Sequence, residues 1–275
     1  MPRFGLNGAT TGATVDVETD IRVAGQAGYQ AIELRDDKIE RYLVSGHSLV
    51  SLADRVRTAG LEVLSINALE DATLMATEHA STRLARWQKL CEWAAALDAP
   101  YAIAVPSLLP DTRRTEDEIR ARSVEALRAL VAVSRKFDVQ VGFEFLGFPL
   151  ASVNTLRSAR KIVEAVDDPS VGLVIDAFHF YVGGSRLTDL DGLDPSRLFI
   201  VHLDDAEPGN VCGLSDAQRL LPGEGAVPLD ALIRTLERSG YRGAYSLELF
   251  RPEYWTWDPA DLARRGLEAM QRLFA

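Results

Sequence analysis

Eight short β-type runs, separated by helical segments, constrain this sequence more than any other feature. They are Arg3–Asn7, Ala31–Arg35, Glu62–Asn67, Tyr101–Val105, Val139–Phe145, Val171–Asp176, Leu198–Leu203 and Ala244–Leu249. Several, such as VGLVID and LFIVHL, are nearly continuous apolar runs, as in parallel strands covered on both faces. Between them lie amphipathic segments bounded by helix start and stop signals. Asp16–Ala27 runs to Gly28 and Ser48–Ala59 to Gly60; Thr115–Phe137 has Glu118 three residues after Thr115; Val153–Val166, Leu229–Ser239 and Pro259–Phe274 follow. Eight strands alternating with about eight helices in 275 residues is the arithmetic of an α/β chain closed into a (β/α)8 TIM barrel. The alternative is an open doubly wound sheet, but no G-x-G-x-x-G follows the first run. Nothing in the composition marks a linker, so residues 1–275 are predicted to form a single domain.

The charge balance narrows the partners. Thirty basic residues against 40 acidic ones give a net charge of −10, which repels nucleic acid. No stretch of about 18 apolar residues is present to span a membrane, and the opening MPRFGLNGATTG reads as a strand, not as a signal peptide. Cys91 falls in a helical segment and Cys212 in a loop, so both are expected to be free thiols of a reducing compartment. The expectation is a cytoplasmic protein acting on a small molecule.

In a TIM barrel the carboxyl ends of the strands face the active site. Four successive runs here carry a metal-competent side chain at that end: Glu144 (VGFEF), Asp176 (GLVID), His202 (IVHLD) and Glu248 (SLELF). Any one of them alone is most simply a satisfied polar residue. Together, three carboxylates converging on one mouth repel each other unless a cation is present, and burial makes each costly. Three carboxylates and one imidazole suit one divalent ion such as Mn²⁺, Mg²⁺, Co²⁺ or Zn²⁺.

Other residues are candidates for the substrate. His179 follows Asp176 by three residues in DAFHF and reaches the same mouth if the strand turns there. Arg219, before LPGEG, is placed to meet a hydroxyl or ketone oxygen, or is a surface arginine of an inserted loop. His47, after the second run, is expected to overhang the mouth; His79 reads as a solvated helix residue. Glu33 and Asn67 are hydrogen-bonding residues on the second and third runs, and Glu33 is expected to face inward and pair with a neighbouring cation. After the eighth run comes RPEYWTW, where Arg251, Tyr254 and Trp257 offer a cation and aromatic faces for a sugar or cyclitol ring, or, with Trp255, a homo-oligomer contact.

The Glu–Asp–His–Glu set, with DxFH, HxDD, PGxG and ExF, resembles the xylose isomerase-like TIM barrels, a superfamily of sugar isomerases, epimerases and related endonucleases built on one metal site. From NGATT and IELRDDKIERYL through EFLGFP, VGLVIDAFHF and FIVHLDDAE to LPGEGAVPLD and SLELFRPEYW, the chain is most similar to the inosose (2-keto-myo-inositol) isomerases of inositol catabolism. The resemblance implies that Glu144, Asp176, His202 and Glu248 hold the metal and that His179 and Arg219 contact the substrate. It departs at Gly8, where those isomerases carry an acidic residue, and in the loop EDATLMATEH. The expected chemistry is removal of a proton alpha to a ketone, an enediolate, and return of the proton to the neighbouring carbon. Glu144 and Glu248 are the candidate acid/base pair and His179 a polarising partner. The alternatives are a keto-sugar 3-epimerase, a lyase or dehydratase of the 3-dehydroshikimate type with Arg219 or Arg251 on a carboxylate, and a non-catalytic binding or assembly subunit.

Overall fold

The computed structural model describes residues 2–74, 77–108 and 114–275. Along the chain run β1 (Arg3–Asn7), α1 (Val17–Ala27), β2 (Ala31–Arg35), α2 (Asp36–Val44), α3 (Leu49–Thr58), β3 (Glu62–Leu69), α4 (Thr77–Ala96), β4 (Tyr101–Ala104) and α5 (Glu116–Ser134). Then come β5 (Gln140–Glu144), α6 (Leu156–Val166), β6 (Val171–Asp176), α7 (Ala177–Val182), β7 (Leu198–His202), β8 (Asp205–Ala206), β9 (Arg219–Leu220), α8 (Leu229–Ser239), β10 (Ala244–Leu247) and α9 (Pro259–Arg272). Eight parallel strands close a barrel in the order β1-β10-β7-β6-β5-β4-β3-β2, while β8 and β9 form a small antiparallel ribbon beside its mouth.

Local chemistry sets these boundaries. Asp16 caps α1 by accepting from the Thr19 amide, and Gly28 ends the helix at φ 98°, a left-handed conformation that a side chain would strain. Ser48–Ser51 and Thr115–Glu118 form capping boxes on α3 and α5, and Asp258 caps α9 ahead of Pro259. The predicted helix at Val153–Val166 starts later, at Leu156, because Thr155 is its cap. The last three residues of the predicted Thr115–Phe137 helix tighten into a 3-10 turn. The helices α2 and α7 and the β8–β9 ribbon have no counterpart in the sequence reading; each is nine residues or shorter.

The strands bury both faces. VGLVID of β6 is buried at every position. Outside the barrel the strands meet the helices in one large apolar cluster, whereas the barrel's own interior is plugged by a smaller one around Leu64, Ile103, Val174, Phe199 and Ile200. Tyr101 stacks on Phe199 at 4.5 Å there. A Cβ at Gly172 would sit 2.5 Å from the Phe199 ring, so the plug is filled only because that position has no side chain. Above the plug, toward the carboxyl ends of the strands, the interior turns polar, and the candidate site sits on that polar layer. Among the described residues no helix is long and apolar enough to cross a membrane. Cys91 is buried and Cys212 exposed, both as free thiols.

Candidate metal centre and substrate cavity

Each of four adjacent strands, β5, β6, β7 and β10, delivers one side chain to the mouth, with Glu248 just beyond the end of β10. The parallel register sets Asp176 opposite His202, and all four groups are buried. One ligand atom from each of Glu144, Asp176, His202 and Glu248 can be chosen so that all lie within 4.8 Å of one another. Ligands at roughly 2.0–2.2 Å from a zinc ion are at most about 4.4 Å apart, so the set needs to close by only a few tenths of an ångström to hold one.

The hydrogen-bond arithmetic shows why these residues fit a cation. Around His202 Nδ1 stand Glu144 Oε1 at 3.1 Å, Glu248 Oε2 at 3.1 Å and Asp176 Oδ2 at 3.7 Å. One N–H can serve one of these oxygens, and the others are left facing like charge. Burial, reinforced by the charges of Glu248 and Asp176, therefore pushes the Glu144 carboxyl up to about 7 despite the neighbouring His202. His202 is driven well above its ordinary range: the carboxylates of Glu248, Glu33 and Glu144 overcome the burial that opposes its charge. A divalent ion replaces these shared protons with two fixed positive charges, so three carboxylates and an imidazole nitrogen form a fitting donor set.

The other face of His202 is backed by Glu33. Its Oε1 lies 3.1 Å from His202 Nε2, while Oε2 accepts from Ser65 Oγ at 2.6 Å and Asn67 Nδ2 at 2.9 Å. Burial opposes the charge on Glu33, but His202 and these hydrogen bonds hold its carboxyl down at about 2. Glu33 thus places a carboxylate counter-charge against His202 on the side away from Glu144, Asp176 and Glu248. The reading of Glu33 as a substrate contact is corrected accordingly: it lies one layer beneath the cavity and does not line it.

Asp176 organises the adjoining wall. Its Oδ1 caps α7 by accepting from the His179 amide at 2.6 Å, which brings His179 into the mouth, and its Oδ2 accepts from Arg219 Nη1 at 2.5 Å. Arg219 is almost wholly buried. Nη1 also serves Asp204, Nε serves Asp216 at 2.9 Å, and Nη2 donates to His179 Nε2 at 3.1 Å. Because arginine only donates, His179 must accept through Nε2 and carry its proton on Nδ1. Burial lowers the His179 pKa, with the charge of Arg219 acting in the same direction, so the ring is neutral. Nδ1 has no hydrogen-bond partner among the described residues. Four of the five N–H groups of Arg219 are committed, so it acts mainly as a hub tying β6, α7 and the ribbon together.

Above the four carboxylate and imidazole groups lies a cavity of about 360 Å³. Its wall includes Glu144, Glu248, His179, Arg219, Asn67 and Pro106, with apolar surface from Leu146, Phe148 and Phe250 and charged groups from Arg35, Glu70 and Asp71. Phe148 stands edge-on to His179 at 5.0 Å. A more open cleft of about 840 Å³ between α1 and α3 holds no such cluster among the described residues.

Four other expected substrate contacts lie elsewhere. His47 is exposed in the α2–α3 turn, stacked on Tyr42 at 4.4 Å. Arg251 is drawn to Glu207 and Glu253 at 2.6 and 3.0 Å. Tyr254 is buried, its hydroxyl accepting from the Leu221 amide, and Trp257 packs on Tyr254 under Arg265. After Phe250 the chain turns away from the mouth into the 3-10 turn Tyr254–Thr256, carrying all three residues with it. His79 is exposed on α4. Gly8 packs against the stem of Arg35, where an added Cβ would stand 3.3 Å from Cγ. Met75 and Ala76, in the loop EDATLMATEH, lie outside the described residues.

The sequence reading missed two acids of the HxDD motif. Asp204 accepts from the Phe178 amide and pairs with Arg219. Asp205 accepts from the amides of Ala206, Gly223, Gly225 and Val227, which folds the LPGEG loop around one carboxylate. At the end of β1, Asn7 Nδ2 holds Glu248 Oε1 at 2.9 Å.

Comparison with known proteins agrees with this geometry. Residues 21–273 match the model of the family described as xylose isomerase-like TIM barrel. The inosose isomerase of Halalkalibacterium halodurans is 38% identical over 250 residues, 90% of this chain and 88% of that one. The inosose isomerase of Bacillus subtilis is 35% identical over 251 residues, 91% of this chain and 90% of that one. A crystal structure of IOLI protein with a bound zinc atom superimposes with a TM-score of 0.95 at 32% identity, covering 98% of this chain and 97% of that one.

Proposed function

The chain belongs to the xylose isomerase-like TIM barrel family, together with the inosose isomerases, and we propose that it is a divalent-metal-dependent isomerase of a keto-cyclitol, 2-keto-myo-inositol, acting in inositol catabolism. The observation that carries this reading is the ring of Glu144, Asp176, His202 and Glu248 beneath a cavity that also presents His179. Mn²⁺, Mg²⁺, Co²⁺ and Zn²⁺ all suit the donor set, and the zinc in the IOLI crystal makes Zn²⁺ the first to try. When bound, such an ion supplies Lewis-acid polarisation of the ketone and its neighbouring hydroxyl.

The chain's own residues divide the remaining work. Both oxygens of Glu248 are engaged, Oε1 by Asn7 and Oε2 toward His202. Glu144 uses Oε1 toward His202, and its second oxygen has no hydrogen bond among the described residues. Glu144 is therefore the carboxylate better placed to take the proton from the carbon alpha to the ketone and return it to the adjacent carbon. Glu248 is the more firmly held of the pair. The neutral His179 offers its Nδ1–H to a substrate oxygen, and the remaining N–H of Arg219 serves beside it. Phe148 and Phe250 cover the apolar faces of the ring. The free thiols and the charge of −10 fit a cytoplasmic enzyme of small molecules with no nucleic-acid partner.

The test is proton NMR of Zn²⁺- or Mg²⁺-loaded protein with 2-keto-myo-inositol in D₂O. Deuterium uptake at the alpha carbons together with the signals of a second inosose is the expected result. Exchange without a new ketone keeps the proton-moving chemistry but points to a different ring or to elimination, and no exchange with metal bound removes inosose as substrate. Glu144→Gln should abolish exchange; near-normal exchange in that variant, with metal retained, removes Glu144 from the proton-moving role.

A further inference from the structure

We propose that Arg35 is the residue that binds the substrate's outer hydroxyl groups and so sets affinity for the ring; this rests on the keto-cyclitol reading above. Arg35 is the last residue of β2, half-buried, and lines the cavity. Among the described residues, the arginines on neighbouring elements are paired. Arg83 is held by Asp71 and the Glu70 carbonyl, Arg86 by Asp36 and Glu40, Arg219 by Asp176, Asp204 and Asp216, and Arg251 by Glu207 and Glu253. Arg35 has no acidic partner and no side-chain hydrogen bond among the described residues.

Its guanidinium instead meets an aromatic ring. The guanidinium carbon lies 5.8 Å from the centroid of the Phe250 ring, and that of Arg219 lies 5.1 Å from the same ring. Phe250 thus links a guanidinium committed to the carboxylates with one whose five donors are unspent. A cation–π contact steadies a guanidinium without using any N–H group. In the barrel sheet Arg35 pairs in register with Asn67, another cavity residue whose Nδ2 donors are spent on Glu33 and Ser65. Among the described side chains, the donors left for a ring seated over the carboxylates are therefore the His179 Nδ1–H, one N–H of Arg219 and the fork of Arg35. A cyclitol ring carries hydroxyls around its whole edge, so an oxygen remote from the ketone is available to each. This makes Arg35 a contact for ground-state binding and not for proton transfer, because it is not hydrogen-bonded to Glu144, Glu248 or His179.

The experiment compares metal-loaded wild type with Arg35→Gln and Arg35→Lys in two measurements. One is inosose isomerisation, read as KM and kcat. The other is calorimetric binding of myo-inositol, a cyclitol without the ketone. Loss of one charge-assisted hydrogen bond corresponds to about tenfold or more in affinity. The expected result is a rise of that size in both KM and the myo-inositol Kd of Arg35→Gln. Its kcat should stay within about threefold and its metal content unchanged, and Arg35→Lys should recover part of the loss. A KM and Kd within twofold of wild type overturn the assignment, as does a fall in kcat accompanied by loss of metal, which makes Arg35 a structural residue. The two failures are distinguishable: absence of inosose turnover by wild type overturns the isomerase reading, whereas turnover indifferent to Arg35→Gln overturns only the role given to Arg35.

Discussion

Replacing Glu33 by glutamine should weaken metal binding although Glu33 touches neither the cavity nor the three carboxylates. Glu33 accepts hydrogen bonds from Ser65 Oγ at 2.6 Å and Asn67 Nδ2 at 2.9 Å, and its Oε1 stands in an ion-pair contact 3.1 Å from His202 Nε2. A carboxylate can satisfy all three, but a carboxamide offers one acceptor oxygen and two donors of its own. If the amide oxygen stays with Ser65 and Asn67, the amide N–H faces His202 Nε2. That ring must then carry its proton on Nδ1, the nitrogen surrounded by Glu144, Glu248 and Asp176. If the oxygen turns to His202, the amide N–H opposes the Asn67 amide. Either way the metal-facing nitrogen becomes less basic and less firmly aimed. Losing such a supporting group costs about 10- to 100-fold in metal affinity, or about 1.4–2.8 kcal/mol. The assay is calorimetric titration of metal-free protein with Zn²⁺ at fixed pH. Far-ultraviolet circular dichroism and a urea curve would show that the variant is folded. Ser65→Ala, which removes one hydrogen bond and keeps the charge, should cost only severalfold. A folded Glu33→Gln variant with a zinc Kd within twofold of wild type refutes the argument that Glu33 works through His202.

Metal affinity should also rise with pH. Without metal the buried Glu144 holds its proton up to about 7, and His202 holds its own well above its ordinary range. Binding below that point must expel both protons, and above it mainly the one on His202. The logarithm of the association constant should therefore climb by about two per pH unit below 7 and by about one just above it, as chelator competition would show; a flat profile refutes the shared-proton picture. Away from the site, Lys38 Nζ bonds Asp20 Oδ2 at 2.7 Å, Thr11 Oγ1 at 2.9 Å and the Gly8 carbonyl at 2.7 Å, with both charged groups about 1% exposed. Lys38→Met leaves the Asp20 carboxylate buried without its cation and should cost about 3–5 kcal/mol in urea unfolding, of which the double variant with Asp20→Asn recovers a part. A loss below about 1 kcal/mol would mean that water reaches Asp20.

Where the sequence was informative and where it was silent follows from how side-chain direction is set. Glu144, Asp176 and His202 stand at the ends of parallel strands, and Glu248 just beyond one. Each interrupts an apolar run, so strand period and barrel closure together point it into the mouth. Glu33 belongs to the same kind of strand, but whether it reaches substrate or supports His202 depends on depth. That depth is set by a register shift between β2 and β3 that places it opposite Ser65, and no spacing in AIELR announces the shift. RPEYWTW misled for the opposite reason. Its aromatic and basic composition suits a sugar wall, yet composition carries no direction once the strand has ended. Arg251 is pulled to two glutamates and Tyr254 to a loop amide, so the segment folds back on the ribbon. The wall is built instead from Phe148 and Phe250, single aromatics close enough to their strand ends to stay within the cavity. The same distinction gives Arg35 its interest. It sits at a strand end, where direction is fixed by the sheet, and among the described residues no acid has drawn it away from the ring it faces.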